Sequence, residues 1–577
     1  MTLREKITAK IKSIIPKGMD ISLSVPENDT QGHYSTNIAF RIAKQKGVAP
    51  MEEAKRIATK LLEAAPPKTV AKRPFWQAEL FERVEAVSPG FINIWIKPKA
   101  IQGAFQDILK DEKNFGRSKI GKGKKVIIEY SQPNIAKRMH AGHIRSTIIG
   151  DALANIYEFA GYKVIRWNYI GDWGTQFGKL IAAYKLWGSK KEVEKDPIET
   201  LLHLYVRFHN EMAKNPSLEA RGQEEFKKLE AGDKENRKLW KWFRDESLIE
   251  YKRIYKFLDI RFDVWTGESA YEKDLQGIVL ELKTKGIAKN SEGAVIVPLD
   301  EEKLPPALIQ KSDGASIYLT RDIASLRHRI RKYKPAKILY VVSNEQSLHF
   351  EQLFAVAKKL SWNNAELAHV KFGLMLGENH KKLSTRGGLV VALDELIESM
   401  VRETRKAIDD KYSKLSSKEK DLTASVIGVG ALKYNDLREN RNSDIVFNWK
   451  HMLDFTGDSA PYLQYACVRL LRIVGKSRGK NQPDFSKLTA DNDLALMRKA
   501  LEFPHVVLTS AETLYTNNLA LYLYELATTA NRFYETTPIL KDNNSARRAA
   551  RLGLIQIVAS ILRNGLTLLG VKTPKKM

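Results

Sequence analysis

The sequence predicts a multidomain α/β chain: an N-terminal α+β domain, a doubly wound parallel sheet carrying a mostly helical insertion, and an all-α C-terminal domain. Three observations lead there. Val126 to Trp167 reads as strand, loop, helix and strand, and Lys337 to Leu360 opens a second such unit. Beyond Asp394 the apolar spacing is almost only helical. At 577 residues the chain is too long for one ordinary domain, and about three are expected.

Residues 1–98 form the first unit. Ile7, Ile11 and Ile14 have helical spacing, as do the apolar residues from Ile42 to Leu62, while Ile21–Val25 and Phe91–Ile96 read as extended. Gly32 to Asn37 is expected as a loop presenting the Tyr34 ring to solvent. Lys110 to Lys125, rich in lysine and punctuated by glycine, reads as a linker.

The central domain is expected over 117–393. Val126-Ile127-Ile128 is a buried strand, and Pro133 biases Gln132 away from helix. Ile144, Ile148, Ala152, Ile156 and Phe159 form a helical stripe ending at Gly161, and Lys163 to Trp167 is the next strand. A right-handed crossover makes the two strands parallel, and the loop at the helix N-terminus is where such Rossmann-like sheets bind nucleotides. The insertion runs from about 178 to 262, followed by a hairpin at Ala288–Val297. Ala315–Leu319 is predicted as strand, Thr320–Arg331 as helix, and Lys337–Val342 as strand. From 394 to 577 the runs Ala460–Val474, Ala495–Leu501 and Thr516–Tyr534 carry apolar stripes at helical spacing.

The nucleotide loop contains His140-Ala141-Gly142-His143. Gly142 lets a flat base or sugar lie against the backbone, and two imidazoles at a helix entrance can donate to a phosphate as its charge grows. A metal pair is an alternative use of the histidines, but no H-E-x-x-H helix accompanies them. Cys467 is the only cysteine, so neither an intrachain disulfide nor a cysteine-based zinc site is available.

The run Pro133-Asn134-Ile135-Ala136-Lys137-Arg138-Met139-His140-Ala141-Gly142-His143, with Asn168 to Gly174 after it, resembles the active-site region of arginyl-tRNA synthetases, members of the class I aminoacyl-tRNA synthetases. Lys382-Leu383-Ser384-Thr385-Arg386, about 240 residues later, resembles their second, KMSKS-type signature, and the likeness extends over essentially the whole chain. It implies ATP-dependent activation of L-arginine and transfer to tRNA(Arg). The implied catalytic residues are His140, His143, Lys382, Ser384 and Arg386. ATP would be held by His140, Gly142, His143 and Lys382, and the amino acid by Glu129, Asn134, Tyr318, Asp322 and Gln346. Asp322 follows Tyr318 by four residues, which suits a planar cation paired with the acid and packed on the ring; a helix cap or an ion pair with Arg321 or Arg327 is the other use of that aspartate. Mg²⁺ is expected to come with ATP, and no zinc site is expected. An editing site is not expected either, because a pocket that must hydrogen-bond a guanidinium rejects isosteres lacking those donors by roughly 10⁴ to 10⁵.

The chain departs from the family pattern at Gln132, where serine is common, at Arg138, where proline is common, and at Gly387, where lysine is frequent. Thr385 stands where KMSKS has its second lysine, and Lys137, three residues before His140, is the candidate replacement. In this family an N-terminal domain touches the tRNA elbow and a helical C-terminal domain binds the anticodon. Leu432–Arg438 and Gly457–Tyr465 resemble the latter. Tyr462, Tyr465, Phe533 and Tyr534 are candidates for stacking on unpaired tRNA bases, with core packing as the alternative for each, and Tyr34 of the N-terminal domain is a further candidate tRNA contact.

A formal charge of +27 favours a polyanionic partner such as RNA. Residues 1–15 interleave Arg4, Lys6, Lys10 and Lys12 with apolar residues, unlike a signal peptide, and no apolar run approaches the roughly 20 residues of a membrane helix. A cytoplasmic monomer without membrane contact is expected. Another HxGH nucleotidyltransferase or a non-catalytic RNA-binding relative are the rival readings. The helical C-terminal third and the charge weigh against the first, and the intact motifs against the second.

Overall fold

Val126, Ile127 and Ile128 are fully buried at the centre of a five-stranded, all-parallel sheet, as an uninterrupted β-branched run requires. The computed structural model describes residues 1–63, 80–377, 391–411, 415–476 and 482–577. These divide into two compact units: residues 118–464 with 509–521 and 565–577, and residues 1–117 with 465–508 and 522–564.

The larger unit is built on strands β1 (Lys125–Glu129), β2 (Lys163–Ile170), β3 (Val264–Gly267), β4 (Lys337–Tyr340) and β5 (Glu366–His369), in the order β5-β4-β1-β2-β3. Ile127 is in register with Ile165 on one side and Ile338 on the other. Helix α1 (Ala141–Phe159) connects β1 to β2, and α3 (Ser347–Lys359) connects β4 to β5. The connections leave β1 and β4 in opposite directions across the sheet, which opens a crevice at the carboxyl ends of these two neighbours.

The helical insertion is present as five helices between Thr175 and Phe257, and the hairpin as Lys289–Ser291 paired with Ala294–Val297. The predicted strand Ala315–Leu319 is corrected. Residues 311–315 form a tight turn, with Gly314 at φ +83° and Lys311 donating to the Ala315 carbonyl. The strand is instead Ala307–Gln310, paired with the hairpin, and helix α2 (Tyr318–Tyr333) starts two residues earlier than predicted. Among the described residues after 394 the regular structure is helical apart from β7 (Ile445–Val446), which pairs in parallel with β6 (Met375–Leu376). Its helix α4 (Ser417–Leu437) opens with a Ser416–Glu419 capping box.

The smaller unit holds a three-stranded antiparallel sheet, Tyr34–Thr36, Phe91–Ile96 and Phe81–Val87. The single helix expected over Ile42–Leu62 is two, Ile38–Lys46 and Pro50–Glu63, because Gly47 turns left-handed and Pro50 opens the second. Of Ile21–Val25, expected as extended, only Ser24 bridges the sheet, at Ser35. Tyr34 is not the exposed loop aromatic expected. It is a strand residue, 3% exposed, and its hydroxyl donates to Glu502. Cys467 is buried, its thiol donating to the Ala559 carbonyl at 3.5 Å. No helix among the described residues is long and apolar enough to cross a membrane.

Candidate active site

The chain from Glu129 to His140 turns tightly between β1 and α1, with Ser131, Gln132 and Ala136 all at positive φ. Such conformations cost about 1–3 kcal/mol each and persist only where neighbours enforce them. Here the Ser131 amide donates to Ser146 Oγ, its hydroxyl meets Thr147 and Tyr255 at 2.7 Å, and the Ala136 amide donates to Ser247. Tyr251 ties the turn down by donating to the Lys137 carbonyl at 2.9 Å. Asn134 Oδ1 approaches Gly171 so closely that a Cβ there would lie 1.8 Å away, which explains the glycine after β2.

His140 caps α1, and the two imidazole centres lie 3.8 Å apart. His140 Nδ1 accepts from the Gly142 amide, and His143 Nδ1 accepts from the His140 amide, both at 3.1 Å. With Nδ1 used as acceptor, the proton of each neutral ring sits on Nε2. Burial and the neighbouring His140 push the His143 pKa down to about 3, and burial followed by Lys137 lowers that of His140. Both rings are therefore neutral donors near pH 7. They border a cavity of about 410 Å³ at the β1–β4 crevice, lined also by Gly142, Val342, Phe372 and Met375.

Lys137 places its Nζ 5.2 Å from the centre of the Tyr205 ring, on the helical insertion. Lys382, Ser384 and Arg386, with Thr385 and Gly387, lie outside the described residues. The flanks of that segment are held by the first motif. The Ala141 amide donates to Val391, the Leu393 amide donates to Met139, and Arg145 Nη1 donates to the Leu374 carbonyl. Arg138 pairs with Asp394 and Glu395 at 2.9 Å.

Glu129 and Asp322 come together: each lies close enough to Tyr169 to raise its pKa, and Asp322 is among the causes raising that of Glu129. Glu129 is buried, accepts from Gln132 Nε2 at 3.0 Å and pairs with Arg329. Burial raises its pKa and Arg329 opposes the rise. Asp322 is neither a helix cap nor paired with Arg321 or Arg327; His349 Nε2 meets it at 2.7 Å. Tyr318 opens α2 and is 61% exposed, with the Arg321 guanidinium 5.6 Å from its ring centre. Asn134 and Gln346 are exposed, the latter in a 3₁₀ turn after β4.

Sequence reasoning missed Arg329, His349 and Glu268. Glu268 is half-buried near Arg321, Asp322 and Asp172, and the loss of solvent raises its pKa to about 8. A signal existed for Arg329: it lies seven residues after Asp322, two turns along the same helix face. Of the aromatic candidates, Tyr34 and Phe533 are buried but border one cavity of about 750 Å³ in the smaller unit, with Arg498 and Arg532; Tyr462 is half-buried and Tyr465 is 37% exposed.

A doubly wound parallel sheet with an HxGH turn at its switch point is the signature of class I aminoacyl-tRNA synthetases, and the models matched are of that class. Residues 104–449 match the catalytic domain of class I tRNA synthetases (R), 1–96 the arginyl-tRNA synthetase N-terminal domain, and 463–577 the DALR anticodon-binding domain. The chain belongs to the arginyl-tRNA synthetase family. It is 38% identical to an arginine–tRNA ligase of Clostridium botulinum over the full length of both chains, and 40% identical to one of Lactobacillus acidophilus, covering 100% of this chain and 97% of that one. The arginyl-tRNA synthetase structure from Plasmodium falciparum superposes with a TM-score of 0.80 at 27% identity, covering 100% of this chain and 98% of that one. The Thermus thermophilus structure has the same fold, with a TM-score of 0.83 at 23% identity and coverage of 100% and 99%.

Proposed function

We propose the following course for arginine–tRNA ligation by this chain. The carboxylate of L-arginine attacks the α-phosphorus of ATP, pyrophosphate leaves, and arginyl-adenylate remains. A terminal ribose hydroxyl of tRNA(Arg) then attacks the mixed anhydride, releasing AMP. Phosphoryl transfer depends mainly on positioning and on neutralising charge. The Nε2–H groups of His140 and His143 are aimed donors for phosphate oxygens, and as neutral rings they donate without becoming proton sources. Positive charge comes from Lys137, Lys382 and Arg386, and Ser384 adds a donor. Mg²⁺ arrives as part of the nucleotide substrate, with no zinc and no dedicated protein cage.

Asp322 and Glu129 take the guanidinium, Tyr318 covers its face, and Asn134 and Gln346 hold the amino-acid end. The observation that supports this assignment is that Glu129, at the end of β1, is held by Gln132, which lines the histidine crevice, and by Arg329 of α2, the helix that also carries Asp322. Residues 1–98 and 394–577 are the tRNA-binding domains, with the cavity beside Tyr34 and Phe533 as one contact and Tyr462 and Tyr465 as others. The protein works in the cytoplasm as a monomer.

ATP–pyrophosphate exchange, run with each amino acid in the presence and absence of tRNA, tests this reading. Exchange should require arginine and should depend on tRNA. Exchange supported by another amino acid would refute the specificity, and full exchange by the protein alone would refute the tRNA requirement.

A further inference from the structure

Helix α2 carries a buried charge that this course leaves unused. Tyr318, Asp322, Ser325 and Arg329 recur at intervals of four, three and four residues, so they share one face. Arg329, at its far end, is 1% exposed. Its guanidinium carbon lies 4.6 Å from the centre of the Trp167 ring, 5.6 Å from that of Tyr169 and 5.5 Å from that of Tyr340. Through Nη2 it pairs with Oε2 of Glu129, which is itself 4% exposed. Taking a guanidinium out of water is costly, and a well-packed apolar side chain commonly serves a core as well or better. Only the carboxylate at the end of β1 gives this charge a use.

The charges around the pocket make the same point. Glu129, Asp322 and Glu268 all act on Tyr169. Arg329 pairs with Glu129, and Arg321 lies 3.8 Å from Glu268, whose pKa burial raises to about 8. Among the described residues Asp322 meets the His349 imidazole and no lysine or arginine. The side chain of arginine brings one guanidinium. Without Arg329 a second acid would stand uncompensated in a buried site, where a carboxyl takes up a proton rather than remain charged.

We propose that Arg329 is a specificity-determining positioning residue, a resident guanidinium that holds the Glu129 carboxylate in place for the guanidinium of the substrate. The proposal rests on the assignment of Glu129 and Asp322 to the arginine pocket. Arg329 acts through Glu129 and touches no reacting atom. Gln132 fixes the other oxygen of the same carboxylate at 3.0 Å, so the acid is gripped from the β1 loop and from α2 at once. Burial acts first on its ionisation, then Arg329 and Asp322 from α2 and Gln132 from the β1 loop, while Tyr169 of β2 and Tyr340 of β4 face its charge.

The test uses the full-length protein with tRNA in pyrophosphate exchange, comparing R329Q, R329K, E129Q and the double variant E129Q/R329Q. For R329Q the KM for arginine should rise about 10²-fold while that for ATP stays within about twofold. R329K should recover most of the loss. The arginine KM of R329Q should fall as pH rises from 6 to 9, since a Glu129 stripped of its counter-charge ionises only at higher pH; the wild-type KM should change much less. If the effect passes through Glu129, adding R329Q to E129Q should change the arginine KM by less than about threefold. An R329Q variant within about threefold of wild type for arginine, or with equal losses for arginine and ATP, overturns the proposal. Should R329Q alone not fold, the charge-neutral double variant decides: a further tenfold loss beyond E129Q overturns it. A wild-type arginine KM in E129Q would refute the pocket assignment itself, whereas an impaired E129Q beside an unimpaired R329Q refutes only the role of Arg329.

Discussion

At the scale of single residues, the site separates into groups that carry charge and groups that donate without it. Asp322 belongs to the first. Asp322→Ala removes the carboxylate that, among the described residues, meets no lysine or arginine, and should cost about 2–5 kcal/mol of arginine recognition, read as a rise in the arginine KM with ATP binding little changed. Lys137 also belongs there, as the described cation of the HxGH turn that, after burial, lowers the pKa of His140. Lys137→Ala should slow adenylate formation by about 10² to 10³ in single-turnover assays, and Thr385→Lys should restore part of the rate. An unchanged rate would show that Lys137 merely packs on Tyr205. His143 belongs to the second group and gives a pH signature. Its folded pKa is depressed to about 3 from an ordinary 6.5. Below pH 6.5 the unfolded chain therefore takes up a proton that the folded chain refuses, so this residue's contribution to stability falls with pH down to about 3. In denaturant titrations between pH 7 and 4, His143→Gln should lose less stability than the parent. The histidines, Gly142 and Asp322 were legible from the sequence because their spacing has a local meaning. Arg329, His349 and Glu268 were not, because each matters through a partner on another element, and a charged residue in a helix normally reads as solvated.

At the scale of elements, the sheet was readable wherever strands carry uninterrupted apolar runs, as β1 (Val126–Ile128) and β4 (Ile338–Tyr340) do. The errors fell at turns. Gly47 split a predicted helix, and the turn at Gly314 displaced a predicted strand onto the preceding hairpin. Tyr34 was misplaced because a three-residue strand has too few residues for alternation to show. One contact between elements has an effect that can be measured. Arg145 on α1 and Asp436 on α4 are each 1% exposed and paired at 3.3 Å, and Arg145 also donates to the Leu374 and Ser443 carbonyls flanking the β6–β7 pair. Arg145→Met leaves Asp436 buried without its cation and should cost about 3–5 kcal/mol in denaturant unfolding. The double change Arg145→Met with Asp436→Leu should recover much of that loss, whereas equal destabilisation by both variants would assign the cost to the carbonyl contacts instead.

At the scale of the whole molecule, the charge of +27 and a sequence pI near 9.6 set the terms of tRNA binding. Affinity for tRNA should fall steeply and log-linearly with salt as counterions are released, with a slope near −0.7 to −0.9 per phosphate neutralised. A salt-independent affinity would remove the basic surface from the binding account. Removing residues from about 400 onward should abolish charging, read as loss of aminoacylation.

The smaller unit joins residues 1–117 to 465–508 and 522–564, and Glu502 takes both the Tyr34 hydroxyl and the Arg4 guanidinium. The two parts are separated by about 350 residues of the other unit. At synthesis rates of about 5–20 residues per second, the first part leaves the ribosome roughly 20 to 70 seconds before the second exists. During that interval Tyr34 and Arg4 lack Glu502, and the helix Pro98–Ile108 lacks the helix Asp491–Leu501 that packs on it, a window in which a nascent chain is open to proteases and to chaperones. Ribosome-bound chains halted near residue 450 should therefore be cleaved within residues 1–117 by dilute protease, and chains halted well past residue 564 should resist. Equal resistance at both lengths would show that the first part folds without waiting for the second.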